Sequence, residues 1–362
     1  MLFMIEKVTG IFTFDVLNFD GMICPPFLKT GDKIALIAPA RKISASEIDL
    51  AIKTFQQWGL KVVLGQHLFG EDNQFSGTDD ERGSDFQAML DDIEIKAIVC
   101  ARGGYGTVRI IDKLNFSVFQ QHPKWIVGYS DITVIHSHIL TQFGIETLHA
   151  IMPINFPEIG SEPAIESLRK ALFGEVLEYT KPHHPMDVVG NVTGLLCGGN
   201  LSILYALNGT ASEVQTEDMI LFIEDIDEYL YHLDRMMMNL KRSGKLDRIK
   251  GLIVGSMAKM NDNTINFGKK AEEIIAGYVS DKEIPVCFDF PAGHCSNNSA
   301  LIMGREVNLS IDPNGVTLLF LPVGETNYPR SIFGKILKPA FFFLGFFVFI
   351  YAVLAFIKMF VK

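Results

Sequence analysis

The sequence is poor in the features that mark several large functional classes. Its 362 residues hold five cysteines, Cys24, Cys100, Cys197, Cys287 and Cys295, with no Cys-x-x-Cys pair among them. Neither a disulfide framework nor a zinc site is implied, and a reducing compartment fits. Gly-x-Gly-x-x-Gly and Gly-x-x-x-x-Gly-Lys-Ser/Thr are both absent, which removes the dinucleotide fingerprint and the P-loop. A basic excess is missing too. The formal net charge is -10, whereas a nucleic-acid partner requires clustered Lys and Arg against phosphate. Glu6 and Asp15 interrupt the first residues, so no secretory signal is read there. His136 and His138 stand two apart and cannot share one helix face, which argues against a metal pair. His183 and His184 read as surface.

What is present is a chain 48% hydrophobic, ample for a core and for about two domains at roughly 150 residues each. Residues 1–21 show no pattern, and Met22 is a candidate start. Beyond them, apolar runs at 33–40, 60–64, 95–100 and 125–128 alternate with helical spacing at 44–58, within 79–91, at 107–114 and after 131. That alternation predicts a parallel sheet with helices on both faces, whose ligand lies beyond the carboxyl ends of the strands. Residues 156–190, rich in Pro and Gly, read as a linker with one helix at 163–173. Alternation resumes at 191–322 and closes on two β-rich runs. The expected division is therefore 22–155, a linker at 156–190, and 191–322.

The C-terminus stands apart. Residues 323–338 include Arg330, Lys335 and Lys338, and 340–357 (AFFFLGFFVFIYAVLAFI) carry no charge. As a helix those 18 residues would run about 27 Å, close to the thickness of a bilayer core. A membrane-spanning helix is therefore expected at 339–360. The basic cluster before it predicts that the bulk of the chain stays on the cytoplasmic side of the membrane.

Four polar positions follow apolar runs. In Trp125-Ile126-Val127-Gly128-Tyr129-Ser130-Asp131 a strand turns sharply into a helix at Ser130, an elbow that lifts a hydroxyl clear of a sheet. A helix N-cap serine is the other reading. In Arg102-Gly103-Gly104-Tyr105-Gly106 adjacent glycines let backbone N–H groups approach an oxyanion or carboxylate, or else simply make a tight turn. Glu224 ends an apolar strand. Asp225, Asp227 and Glu228 beyond it read mostly as a solvated helix start. His294 sits in a Gly-Pro loop. Ser130, Glu224 and His294 together would make a nucleophile, an orienting acid and a general base.

At these residues the chain resembles the LD-carboxypeptidase family of serine peptidases (muramoyltetrapeptide carboxypeptidases) and their microcin-immunity relatives. The resemblance rests on five pieces in order: Pro25-Pro26-x-Leu28-Lys29-x-Gly31-Asp32, Arg102-Gly103-Gly104-Tyr105-Gly106, Gly128-Tyr129-Ser130-Asp131, Ile223-Glu224-Asp225 with Asp234-Arg235-Met236 downstream, and Gly293-His294. It implies an α/β fold: a class I glutamine-amidotransferase-like N-terminal domain on a parallel sheet, joined to a smaller, β-rich C-terminal domain carrying Glu and His. It implies nucleophilic Ser130 completed by Glu224 and His294, and an oxyanion hole from the backbone N–H groups of Gly104 and Asp131. The implied reaction removes the terminal D-alanine from a murein tetrapeptide, with no metal or organic cofactor. Arg102, Gly103 or the Gly198-Gly199-Asn200 turn would supply donors to the substrate carboxylate. The expected partners are a muropeptide and, through the tail, a membrane; no nucleic acid is expected, and a homodimer stays open. Leu148-His149-Ala150-Ile151-Met152-Pro153 matches the family's His-Gly-Pro-Met only loosely. The other functional readings are an amidase acting on peptidyl-nucleotide conjugates and a non-catalytic, membrane-tethered sensor of cell-wall peptides.

Overall fold

A computed structural model describes residues 22–323. The first elements follow from local signals. Strand β1 (Lys33–Ile37) is buried over its last four residues, so it must be covered on both faces. Helix α1 (Ala45–Gln57) starts where Glu47 accepts a hydrogen bond from the Ser44 N–H at 2.7 Å, and it buries Ile48, Ala51 and Phe55. Gly59, at φ +80°, ends it. After β2 (Lys61–Leu64), the acidic stretch that reads as a loop entering a helix is helical from its first residue in α2 (Asp79–Asp91). Thr78 and Glu81 explain this. The Glu81 N–H donates to Thr78 Oγ1 at 3.2 Å and the Thr78 N–H to Glu81 Oε2 at 2.8 Å, so two orphan donors are satisfied reciprocally.

The chain continues through β3 (Ile95–Cys100), α3 (Ser117–Gln121), β4 (Trp125–Gly128), α4 (Thr133–Phe143) and β5 (Thr147–His149). The helix expected at 107–114 is instead two short 3-10 turns that break at Ile110. Next come α5 (Glu162–Phe173), β6 (Glu178–Lys181), β7 (Gly190–Asn200), α6 (Leu201–Leu207), β8 (Ile220–Ile226), α7 (Leu230–Arg242) and β9 (Gly251–Ala258). Helix α8 (Ala271–Val279), β10 (Val286–Cys287), β11 (Leu301–Met303), β12 (Glu306–Asp312) and β13 (Gly315–Phe320) complete it.

The strands form two sheets, ordered β11-β5-β4-β3-β1-β2 and β10-β9-β8-β7-β12-β13-β6. In the first, β5 through β2 are parallel and β11 runs antiparallel at the edge, Leu301 facing His149. The second changes character at β7, whose first half pairs antiparallel with β12 and whose last five residues pair parallel with β8. Leu148 and Leu301 of the first sheet share a core with Phe222, Ile253 and Leu309 of the second. Across that junction Arg305, just before β12, donates to both carboxylate oxygens of Glu146, just before β5, at 2.6 Å each.

This mixed α/β architecture corrects the expected fold in two respects. The second sheet is the larger, seven strands against six, and it is accompanied by α6, α7 and α8. It is not a smaller β-rich appendage, because four of its strands are parallel and require crossover helices. No membrane-spanning helix belongs to the fold: among the described residues none is long and apolar enough to cross a membrane. The longest have 13 residues, about 20 Å against a hydrocarbon core of about 30 Å. The 339–360 segment lies outside the described residues. Gly198-Gly199-Asn200, expected as a turn, is the end of β7.

Candidate active site

Ser130 follows β4 by two residues and adopts φ +62°, a conformation that costs a non-glycine residue on the order of 1–3 kcal/mol. It is half-buried, opens a 3-10 turn (Ser130–Ile132), and α4 starts only at Thr133. An N-cap serine has extended φ and ψ and bonds back to the helix. Ser130 does neither, so the geometry favours the elbow. Beside it, a Cβ on Gly103 would lie 3.3 Å from Ser130 Cβ, so the glycine loop after β3 runs against the hydroxyl-bearing residue. The backbone N–H groups of Gly104 and Asp131 have no hydrogen-bond acceptor among the described residues, which suits an oxyanion.

The Asp131 side chain couples these two donors. Its Oδ2 accepts from the Thr107 N–H at 2.9 Å and the Thr107 hydroxyl at 2.5 Å. Thr107 is the exit of the glycine loop, so one buried carboxylate fixes that loop to the elbow. Burial pushes the Asp131 carboxyl up from its usual range, against the pull of the two Thr107 bonds.

Glu224 and His294, 70 residues apart, meet within β8, which runs two residues beyond Glu224 and shifts register between Ile223 and Asp225. His294 Nδ1 lies 2.6 Å from Glu224 Oε2, with the carboxylate side chain fully buried and the imidazole 14% exposed. The approach depends on Gly293, at φ +101°, where a Cβ would stand 2.6 Å from Glu224 Oε2. The Gly293 N–H donates to Asn298 Oδ1 at 2.8 Å, and the Ser256 hydroxyl to the His294 carbonyl at 3.2 Å. Burial alone would push the imidazole pKa down; Glu224, helped by Asp225 and Glu158, outweighs it, and the net shift is upward. With Nδ1 on the carboxylate, Nε2 is left for a substrate proton. The Tyr129 ring, adjoining Ser130 in the chain, packs edge-on 4.9 Å from the His294 ring. No hydrogen bond joins Ser130 to His294 in this structure, as is common before substrate binds.

A model of the LD-carboxypeptidase N-terminal domain matches residues 34–150, and one of the C-terminal domain matches 193–309. The chain belongs to the LD-carboxypeptidase family. It is accordingly a carboxypeptidase, a hydrolase. It is 36% identical to a Bacillus subtilis protein named "Probable murein peptide carboxypeptidase", over 79% of this chain and 91% of that one. It is 24% identical to the microcin C7 self-immunity protein MccF of Escherichia coli, over 80% and 94% of the two chains. Among solved structures, the muramoyltetrapeptide carboxypeptidase of Oxalobacter formigenes superimposes with a TM-score of 0.72 at 25% identity, covering 80% of this chain and all of that one.

Within this family member two of the expected carboxylate donors, Arg102 and Asn200, are already engaged. Arg102 donates to the Lys42 carbonyl at 3.3 Å and stands 3.8 Å from Glu47 Oε1. Asn200 caps α6 by accepting from the Ile203 N–H, gives an Nδ2 hydrogen to Asp225 Oδ1 at 2.9 Å, and anchors its own N–H on Thr133 Oγ1 at 3.0 Å. Asp225, expected on a solvated face, is buried and also accepts from the Ser202 and Ile226 N–H groups. Burial and, after it, the adjoining Glu224 push its carboxyl up to about 7. Only Asp227 and Glu228 reach solvent. His149 is fully buried between Tyr129 and Phe222, with ring centroids 5.8 and 5.0 Å away. Burial, then His136 and His294, hold it well below the usual histidine range, so it is a neutral wall. The Thr107–Asp131 and Asn200–Asp225 clamps carry no periodic signal. An aspartate directly after both Ser130 and Glu224 was the one hint.

Proposed function

We propose that the protein is a serine LD-carboxypeptidase that releases the terminal D-alanine from murein tetrapeptides, in the recycling of cell-wall peptides. Ser130 Oγ attacks the scissile carbonyl while its proton passes to His294 Nε2. The Gly104 and Asp131 N–H groups hold the oxyanion. Glu224 keeps the imidazole in the tautomer with Nδ1–H and stabilises the imidazolium. His294 then returns the proton to the amine of the departing D-alanine. The acyl-enzyme on Ser130 is hydrolysed by a water that gives one proton to His294, which restores the hydroxyl.

The observation that carries this reading is the Glu224–His294 contact of 2.6 Å, beside the Tyr129–Ser130 elbow. The names of the Bacillus and Oxalobacter relatives support the substrate class. A defined tetrapeptide incubated with the purified protein should lose D-alanine, measured by mass. Ser130→Ala should reduce that release by roughly 10⁶-fold while circular dichroism stays unchanged; full residual activity in a folded variant would sink the assignment. The likeness to MccF favours a second reading, an amidase acting on peptidyl-nucleotide conjugates with the same three residues. Comparing hydrolysis of the two substrates by one preparation separates them.

A further inference from the structure

A carboxypeptidase must recognise a free α-carboxylate one residue beyond the bond it cuts, about 3.8 Å further along the chain. The donor has to stand beside the oxyanion loop. Five cations surround that loop, and four are engaged. Lys42 Nζ is 3.1 Å from Glu71, Arg109 pairs with Asp79, and Arg102 is held by Glu47 and the Lys42 carbonyl. Arg82 is buried on the Pro39 and Gly106 carbonyls and Asp79.

The fifth is Arg41, between β1 and α1. Its backbone is fixed on both sides: its N–H donates to the Gly103 carbonyl at 3.3 Å, and it bridges to Phe75. Its aliphatic stem lies on Gly104. A Cβ at that glycine would collide with Arg41 Cδ and Cγ and stand 3.3 Å from Nε. The residue is exposed, and its guanidinium has no hydrogen-bond or ion-pair partner among the described residues. A partnerless surface arginine is ordinary on its own. A rigidly based one lying across the residue that offers the oxyanion donor is placed to do more.

We propose that Arg41 is the specificity-determining residue that binds the terminal carboxylate of the substrate. The planar guanidinium suits bidentate capture of a carboxylate, and its stem over Gly104 sets the distance from carboxylate to oxyanion. Gly104 is then a glycine for two reasons: its φ of +110° and the room it leaves for that stem. This inference rests on the carboxypeptidase reading above.

The test uses the full-length protein with a murein tetrapeptide and the same peptide carrying a C-terminal amide. Arg41→Ala should raise KM for the free acid by roughly 10- to 100-fold, with kcat changed much less. Arg41→Lys should recover part of that loss. On the amide, wild type and Arg41→Ala should turn over alike, because the anion that Arg41 reads is gone. Equal loss on both peptides, or no loss on the acid, overturns the assignment to Arg41. Absence of D-alanine release by the wild type overturns the proposed function instead, and this inference with it.

Discussion

Two buried glutamates each face a basic side chain, Glu146 across the junction of the two sheets and Glu224 within the second half, and they do so in opposite ways. Glu146 faces Arg305 with both oxygens engaged at 2.6 Å, a saturated pair whose cation does not lose its proton. Glu224 faces His294 through Oε2 alone, and its buried Oε1 meets no side-chain or backbone donor among the described residues. The first pair is finished as a joint. The second has a partner that titrates, which a joint has no use for and a proton-transfer site requires.

The comparison can be broken most severely at Glu224. Glu224→Gln keeps the shape and removes the charge, so kcat should fall roughly 10³- to 10⁴-fold through loss of the orienting anion, with little change in the urea midpoint. An equal loss of stability would make Glu224 a joint like Glu146. Next in size, Glu146→Ala should cost about 3–5 kcal/mol in urea unfolding by stranding Arg305. Activity per folded molecule should persist. A Glu146→Leu/Arg305→Met double variant should recover most of the stability.

The smallest effect is in pH. The raised His294 pKa gives opposite signs to stability and rate. The Glu224–His294⁺ attraction is fully present below the unfolded histidine value of about 6.5 and is lost as pH rises through the folded value. The neutral base needed for attack appears over that same rise. The acid limb of kcat/KM should therefore lie above about 6.5 in the wild type. In Glu224→Gln it should move down, since burial is then opposed only by the weaker pulls of Asp225 and Glu158. A limb unmoved by that substitution would detach the carboxylate from the histidine.

How much of this was legible in the sequence depended on burial and length. Strands β3, β4, β8 and β9 are covered on both faces and read as apolar runs. Strand β5 is three residues long and β6 alternates exposed and half-buried positions, too little pattern to register, while β11, also three residues, merged with the start of β12 into one β-rich run. Ser130, Glu224 and His294 stood out as polar groups at the ends of apolar runs, and family resemblance joined them. Asp225 looked like one member of a solvated acidic run because spacing alone cannot show that Asn200, Ser202 and Ile226 converge on it. Arg41 was invisible for a similar reason: its place over Gly104 depends on how two loops, 63 residues apart, cross.

The return of β11 to the first sheet bears on biosynthesis. The segment bearing His294 is strung between β10 in one sheet and β11 in the other, and β11 pairs with β5 across some 150 residues of chain. Such pairing closes late, because loop entropy is paid before the contact forms. A ribosome-bound chain shorter than about 300 residues carries the hydroxyl, and even the carboxylate, with no imidazole beside them. Under the proposed mechanism the nascent polypeptide is hydrolytically silent until nearly all of the folded body has emerged, and chain order itself would preclude attack on neighbouring peptides during translation.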